Sequence, residues 1–248
     1  MENKENVIQT SYTQALKTAK NSSSSGCCTT DTGTEILINS FEKDPFQEDQ
    51  GISFGCYRLD DILKKQLKTG DTVIDFGSGP GHDLFLTARA VGSEGRAIGV
   101  DFTDAMIEEA SNIAKEKGLT QVELVKASIE KIPLEDNIAD AIISNCVINL
   151  TMDKQAVFSE AFRLLKSGGQ LIDADIISGG DFSEELKKNK DLWCSCIGGA
   201  LTEEETRSLL EQAGFVDIEI TLGQKNPLIF QGKEFFSYSS IIIAKKPL

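Results

Sequence analysis

A doubly wound α/β fold, built on a mostly parallel sheet of seven strands, is what this sequence predicts, and three observations predict it. From Leu59 onward, short apolar runs alternate with amphipathic helical segments, the pattern of a parallel sheet covered on both faces. A glycine loop, Gly77-Ser78-Gly79-Pro80-Gly81, follows the first of these runs directly, where open parallel sheets bind their ligands. Residues 1–58, by contrast, are polar and irregular, with the serine tract Ser22–Ser25 running into Gly26-Cys27-Cys28, and read as a mobile arm or lid.

The elements follow in order. A short helix at Leu59–Leu67 ends at Thr69-Gly70, and Asp71–Phe76 is a buried strand stopped by the glycines. A helix from His82 to Val91 and a strand at Arg96–Asp101 come next. The helix Asp104–Lys117 places Met106, Ala110 and Ile113 at helical spacing, and Gly118 caps it. Val122–Lys126 and Ala139–Ser144 are the third and fourth strands, Lys154–Leu165 a helix, and the turn Lys166-Ser167-Gly168-Gly169 feeds a fifth strand at Gln170–Ile177. Glu203–Ala213 is a further helix, its acidic start suited to the helix dipole. Val216–Thr221 and Tyr238–Lys245 supply the last strands. The chain divides into a cysteine-bearing arm (1–58), a ligand-binding core (59–178), and a region (179–248) that carries a cysteine loop, forms a small cap and completes the sheet.

Bulk composition narrows the function. With 248 residues, 40% of them apolar, the chain buries one large core. A formal net charge of -14 repels phosphate backbones and anionic lipid, so neither a nucleic acid nor a membrane is an expected partner. No stretch approaches the roughly 18 apolar residues of a membrane span, and the start Met1–Thr10 is too polar for a signal peptide. A cytoplasmic monomer is the expectation. In that setting six cysteines are reduced thiols, metal ligands or catalytic groups rather than a disulfide framework. The single histidine, His82, excludes mechanisms that need two imidazoles; it stands at a helix start, where it caps the helix or touches the glycine loop.

The glycine loop has the spacing G-x-G-x-G, with Asp75 two residues before its first glycine. A carboxylate there attracts an ammonium and repels a pyrophosphate, which favours S-adenosylmethionine over NAD. Asp101 closes the second strand, where an acid accepts hydrogen bonds from ribose hydroxyls. From about Thr69 to the C-terminus these residues resemble the class I, Rossmann-like methyltransferases that use S-adenosylmethionine. The resemblance implies that Asp75, Gly77, Ser78 and Gly79 surround the methionine part, that Asp101 holds the ribose, and that Phe102 and Met106 flank the adenine. It also places Ile129 and Glu130 beside that ring and Asn145 at the floor near the methionine end.

The cysteines narrow the acceptor. Cys146 lies in Ser144-Asn145-Cys146-Val147-Ile148-Asn149-Leu150, just past the fourth strand; Cys194 and Cys196 follow the fifth, in a loop beside Trp193; Cys56 closes the arm in Phe54-Gly55-Cys56-Tyr57. Each loop is able to fold over the same sheet edge. This combination, with Cys196-x-x-Gly199-Ala200-Leu201, is similar to the arsenite methyltransferases. The resemblance implies that Cys56, Cys146 and Cys196 bind trivalent arsenic as thiolates, and that Cys27 or Cys28 assists a redox cycle. Arsenite and methylated arsenicals are then the expected ligands, and thioredoxin or a small thiol the reductant. Soft arsenic prefers sulfur, and its lone pair attacks a methyl carbon without a general base. Pro80-Gly81-His82 and the extra thiol of Cys194 depart from the family pattern. Two other readings compete: a methyltransferase for a small organic acceptor, with Cys194 and Cys196 on a structural zinc, and a metalloid or redox sensor without catalysis.

Overall fold

The computed structural model describes residues 4–21, 55, 57–180 and 182–248. Cys27, Cys28 and Cys56 lie outside the described residues. One seven-stranded sheet organises the chain, in the order β3-β2-β1-β4-β5-β7-β6. Its strands are β1 (Thr72–Phe76), β2 (Arg96–Asp101), β3 (Val122–Lys126), β4 (Ala139–Asn145), β5 (Leu165–Ser178), β6 (Val216–Phe230) and β7 (Lys233–Lys245). β1 to β5 pair in parallel, whereas β7 runs antiparallel to both β5 and β6. The order reverses at β1, which lies between β2 and β4. That switch opens a crevice at the carboxyl ends of β1 and β4, where ligands of such sheets sit.

The helices are α1 (Lys4–Asn21), α2 (Asp60–Gln66), α3 (His82–Val91), α4 (Asp104–Glu116), α5 (Lys154–Leu164), α6 (Glu184–Lys188), α7 (Lys190–Cys194) and α8 (Glu203–Ala213), with a 3-10 turn at Ile148–Leu150. Strand alternation sends Ile74, Phe76, Ile98 and Ile142 to one face, where Val157, Phe158 and Leu164 of α5 and Leu210 of α8 cover them. On the other face Val73, Ala141 and Ile143 meet Leu63 of α2 and Val91 of α3. Leu84 and Ala88 of α3 pack with Ala110 and Ala114 of α4 over Ala97. Each fully buried aliphatic side chain contributes about 1.5–3 kcal/mol, so this double layer carries most of the fold's stability. The Asp153 side chain caps α5, and Thr202 and Glu205 form a reciprocal capping box on α8.

Three sequence expectations need correction. Residues 4–21, read as part of an irregular arm, form the 18-residue helix α1. Ile8, Tyr12 and Leu16 recur one turn apart; Ile8 and Leu16 are buried, and Tyr12 packs beside Ile8 on the cap. A narrow apolar stripe in a polar segment is easily passed over when nothing shows what it packs against. The segment before Cys196, read as a loop, contains α6 and α7, each started by a side-chain cap from Ser183 and Asn189. The last two strands extend well past the predicted runs, because β6 and β7 form a long hairpin turned at Gln231-Gly232. At the sheet's carboxyl end that hairpin, α1, α6, α7 and the 3-10 turn close over a separate cluster of Ile8, Leu150, Leu186, Leu192, Leu228 and Phe230, into which Cys146 and Cys196 are packed.

Candidate active site

The glycine loop bends on left-handed residues: Gly77, Gly79 and Gly81 have φ of 68°, 52° and 101°. A side chain at Gly77 would put its Cβ 2.5 Å from Val147 Cγ2, so only glycine fits beneath the β4 loop. The amides of Gly77 and Ser78 both donate to Val100 O, at 2.8 and 3.0 Å, which ties the loop to β2. Asp101 braces it from the other side, accepting from Gly79 N at 3.1 Å and Thr103 N at 2.8 Å.

These elements wall a cleft lined by Asp75, Gly77, Ser78, Gly79, Asp101, Phe102, Met106, Asn145 and Cys146 among others. The residues that the sequence predicts for the cofactor therefore converge, with two exceptions. Ile129 is buried in the main core and Glu130 is bound to Ser128, and neither lines the cleft. Sequence reasoning missed Asp83, Thr103, and Ile8 and Tyr12 of α1, all of which line it. His82, the first residue of α3, also lines it.

Asp75, Asp83 and Asp101 give the cleft its electrostatic character. Burial, then repulsion from Asp83 and Asp101, pushes the Asp75 carboxyl well above the ordinary carboxylate range. Burial also raises Asp83, offset by His82 and by Asn145. Asp101 is raised by burial too, although backbone amides from Thr103 and Gly79 pull it back. Oδ2 of Asp75 and Oγ of Ser78 are buried with no hydrogen-bond partner among the described residues. A cluster of buried acids with an unpaired acceptor suits a ligand that brings positive charge and N–H donors. The ammonium and sulfonium of S-adenosylmethionine meet both needs, and Asp101, with lone pairs to spare, faces the cleft where ribose hydroxyls need acceptors.

At the end of the cleft Asn145 Nδ2 donates to Asp83 Oδ2 at 2.8 Å and to Tyr57 O at 2.9 Å. Gly55 also crowds the Asn145 side chain, so the described residues on either side of position 56 both meet Asn145, next to Cys146.

Cys146 and Cys196 are buried, 6% and 3% exposed, and both occupy the left-handed region with φ of 59° and 62°. That conformation costs a non-glycine residue on the order of 1–3 kcal/mol and is tolerated where surrounding contacts enforce it. Several contacts do. Trp193 Nε1 donates to Leu150 O at 3.1 Å, Gly198 N to Leu192 O at 2.7 Å, and Gly199 lies so close to Asn149 O that no Cβ fits. The Cys146 and Cys196 sulfurs and a carboxylate oxygen of Asp175 all lie within 4.8 Å of one another. Cys146 is disulfide-bonded, whereas Cys194 and Cys196 are in the thiol form.

Asp175 escaped the sequence reading. The available signal was strand alternation: two acids, Asp173 and Asp175, stand two positions apart, and so on one face, within the otherwise apolar run Leu171–Ile177. Oδ1 of Asp175 accepts from Asn149 Nδ2 and Ile176 N, both at 2.8 Å, and Oδ2 from Asn149 N at 3.0 Å. Burial raises its pKa to about 6 against the pull of these amides. Cys194 stands apart from the donor cluster, its sulfur 3.7 Å from Ser11 Oγ on α1, and Tyr12 Oη donates to Cys194 O at 3.3 Å. No helix among the described residues is long and apolar enough to cross a membrane.

Known proteins resemble this chain in both sequence and fold. Residues 67–214 match the family model described as a methyltransferase domain. An arsenite methyltransferase of Halobacterium salinarum is 33% identical over 199 residues, 79% of this chain and 50% of the relative. One of Homo sapiens is 31% identical over 236 residues, 92% of this chain and 61% of the relative. The chain thus spans 50–61% of the length of these curated relatives. Among solved structures, CrArsM, an arsenic (III) S-adenosylmethionine methyltransferase from Chlamydomonas reinhardtii, superposes with a TM-score of 0.66 at 28% identity, over 83% of this chain and 71% of that one.

Proposed function

Because the chain belongs to the methyltransferase-domain family, we propose that it transfers methyl groups from S-adenosylmethionine to trivalent arsenic held on the sulfurs of Cys146 and Cys196. The single observation that carries this reading is the meeting of those two sulfurs beside a cleft lined with Asp75 and Asp101. Similarity to arsenite methyltransferases over most of the chain supports the choice of acceptor.

When bound, S-adenosylmethionine supplies an electrophilic methyl group on a sulfonium. Asp75 and Asp83 would pair with its positive charge, Asp101 would orient the ribose, and Phe102 and Met106 would enclose the adenine, all of them lining the cleft. Cys146 lines the same cleft, so arsenic bound there is held within reach of the donor end. Cys56 is the third sulfur in this proposal, supported by the contacts of Gly55 and Tyr57 with Asn145. Three thiolates leave arsenic a lone pair, which forms the new arsenic–carbon bond while the carbon–sulfonium bond breaks; alignment lowers the barrier by several kcal/mol. α1, through Ile8 and Tyr12, keeps bulk water from the cleft.

Methylation leaves arsenic oxidised by two electrons. A thiol pair closing to a disulfide returns them, and thioredoxin or a small thiol reopens the pair. In this proposal Cys146, disulfide-bonded in the structure, takes part in that relay together with Cys27 or Cys28. In this proposal the protein works as a monomer in the cytoplasm, and its acidic surface leaves nucleic acid and membranes aside.

The decisive experiment incubates the protein with S-adenosylmethionine, arsenite and a thiol reductant and separates the arsenic species. Methylated arsenicals are expected, in an amount that depends on reductant. Cofactor binding without any methylated arsenic would end the reading.

A further inference from the structure

Asp175 is the one member of the sulfur cluster for which arsenic chemistry has no use. Trivalent arsenic is held by thiolates, yet a buried carboxylate oxygen lies within 4.8 Å of both sulfurs. Asn149 and Ile176 occupy Oδ1, whereas Oδ2 accepts a single hydrogen bond and keeps a lone pair. Deprotonated, the two thiols and this carboxylate would crowd three negative charges into a buried space, an arrangement that only a cation makes favourable.

We propose that the reduced protein binds one zinc-group divalent cation through Cys146, Cys196 and Asp175, with water as the fourth ligand. Two sulfurs, one oxygen and an open position match the donor set of a tetrahedral zinc site. With Zn–S of about 2.3 Å and Zn–O of about 2.0 Å, a tetrahedral ion sets its donors roughly 3.5–3.8 Å apart. The observed separations, all within 4.8 Å, close to that range by rotation of the two cysteine side chains. The Asp175 oxygen needs no adjustment, because Asn149 fixes it as an outer-shell partner. Binding requires the Cys146 disulfide to be reduced and releases the thiol protons, so occupancy tracks both reductant and pH. A cation seated there takes both sulfurs and excludes a thiophilic acceptor.

The site does not depend on the identity of that acceptor, and its test contains neither arsenite nor S-adenosylmethionine. The full chain, reduced and freed of reductant without air, is titrated with zinc and studied by X-ray absorption at the zinc edge. One equivalent is expected, with two sulfurs and the remaining ligands oxygen. A first shell of three or four sulfurs, or no tight equivalent, overturns the proposal. Cadmium titration followed by the thiolate-to-metal charge-transfer band assigns the ligands. Cys146→Ser and Cys196→Ser each lose about half of that band, and Cys194→Ser leaves it intact. Asp175→Asn keeps the band but weakens binding by at least the roughly tenfold that even outer-shell changes cost. A folded Asp175→Asn protein with unchanged affinity, or loss of the band in Cys194→Ser, overturns the assignment. Air-oxidised protein serves as the negative: tight binding there is equally fatal to it.

Discussion

The Cys196 thiol donates a hydrogen bond to the carbonyl oxygen of Cys146 at 2.9 Å, joining residues 50 positions apart in the chain. Both residues are buried and both have left-handed backbones, so the contact brings together two strained loops at the carboxyl end of the sheet. Serine in place of either cysteine preserves size and hydrogen bonding but removes the soft ligand. Methylated arsenic from Cys146→Ser or Cys196→Ser should fall by more than the roughly hundredfold that a 1 Å misplacement costs. S-adenosylmethionine affinity, measured by calorimetry on the same proteins, should not change.

Asp75 tests the other half of the site. Its unpaired Oδ2 is positioned to receive the cofactor's ammonium, and a buried charge pair that loses one partner weakens binding by about 2 kcal/mol or more, some thirtyfold. Asp75→Asn should show that loss in the dissociation constant. Protonation of Asp75 competes with the ammonium, so wild-type affinity should rise with pH as the raised carboxyl ionises above the ordinary carboxylate range. The rise should be shallower in Asp75→Asn, and an equally steep curve would place the titrating group elsewhere.

Gly199 tests the spacing of the sulfurs without touching either one. Its absent side chain lets Asn149 O approach, so Gly199→Ala must push the Cys196 loop away from the 3-10 turn. Overpacking of this kind destabilises by about 1–3 kcal/mol. Thermal unfolding should register that loss, and arsenic methylation should drop while cofactor affinity holds.

Asp173 carries a stability prediction. It is buried with Oδ1 unpartnered, and burial followed by repulsion from Asp175 holds its carboxyl well above the ordinary range. A raised pKa means that the native state binds more protons than the unfolded chain. The favourable contribution is therefore complete below the unfolded value and is lost as pH rises through the folded one. Asp173→Asn should equal wild type in stability near pH 3.5 and exceed it by about 1 kcal/mol or more at pH 8. Denaturant midpoints at the two values decide this, and an advantage confined to low pH would reverse the sign.

Much of the core was legible in the chain because its signals are local. The bounds of α3, β2, β3 and α8 follow directly from apolar periodicity, caps and glycines. Asp75, the glycines and Asp101 meet because a strand, a tight turn and a helix leave them little alternative. α1 was not legible, since its apolar stripe of Ile8, Tyr12 and Leu16 has meaning only against what it packs on, which for Ile8 and Tyr12 is the cap. The same holds for α6 and α7, five-residue helices that take their stability from Leu186 and Leu192 in that cap.

By itself, then, the amino-acid order determined the layered sheet, the glycine loop and the acids that face a positively charged ligand, because each depends on residues a few positions apart. Only tertiary structure decided that the Cys146 and Cys196 sulfurs meet a carboxylate oxygen of Asp175, while Cys194 turns to α1. Those neighbours come from β4, β5 and the loop after α7, and no local propensity encodes a distance between them. The packing of the cap over the sheet's carboxyl end sets it.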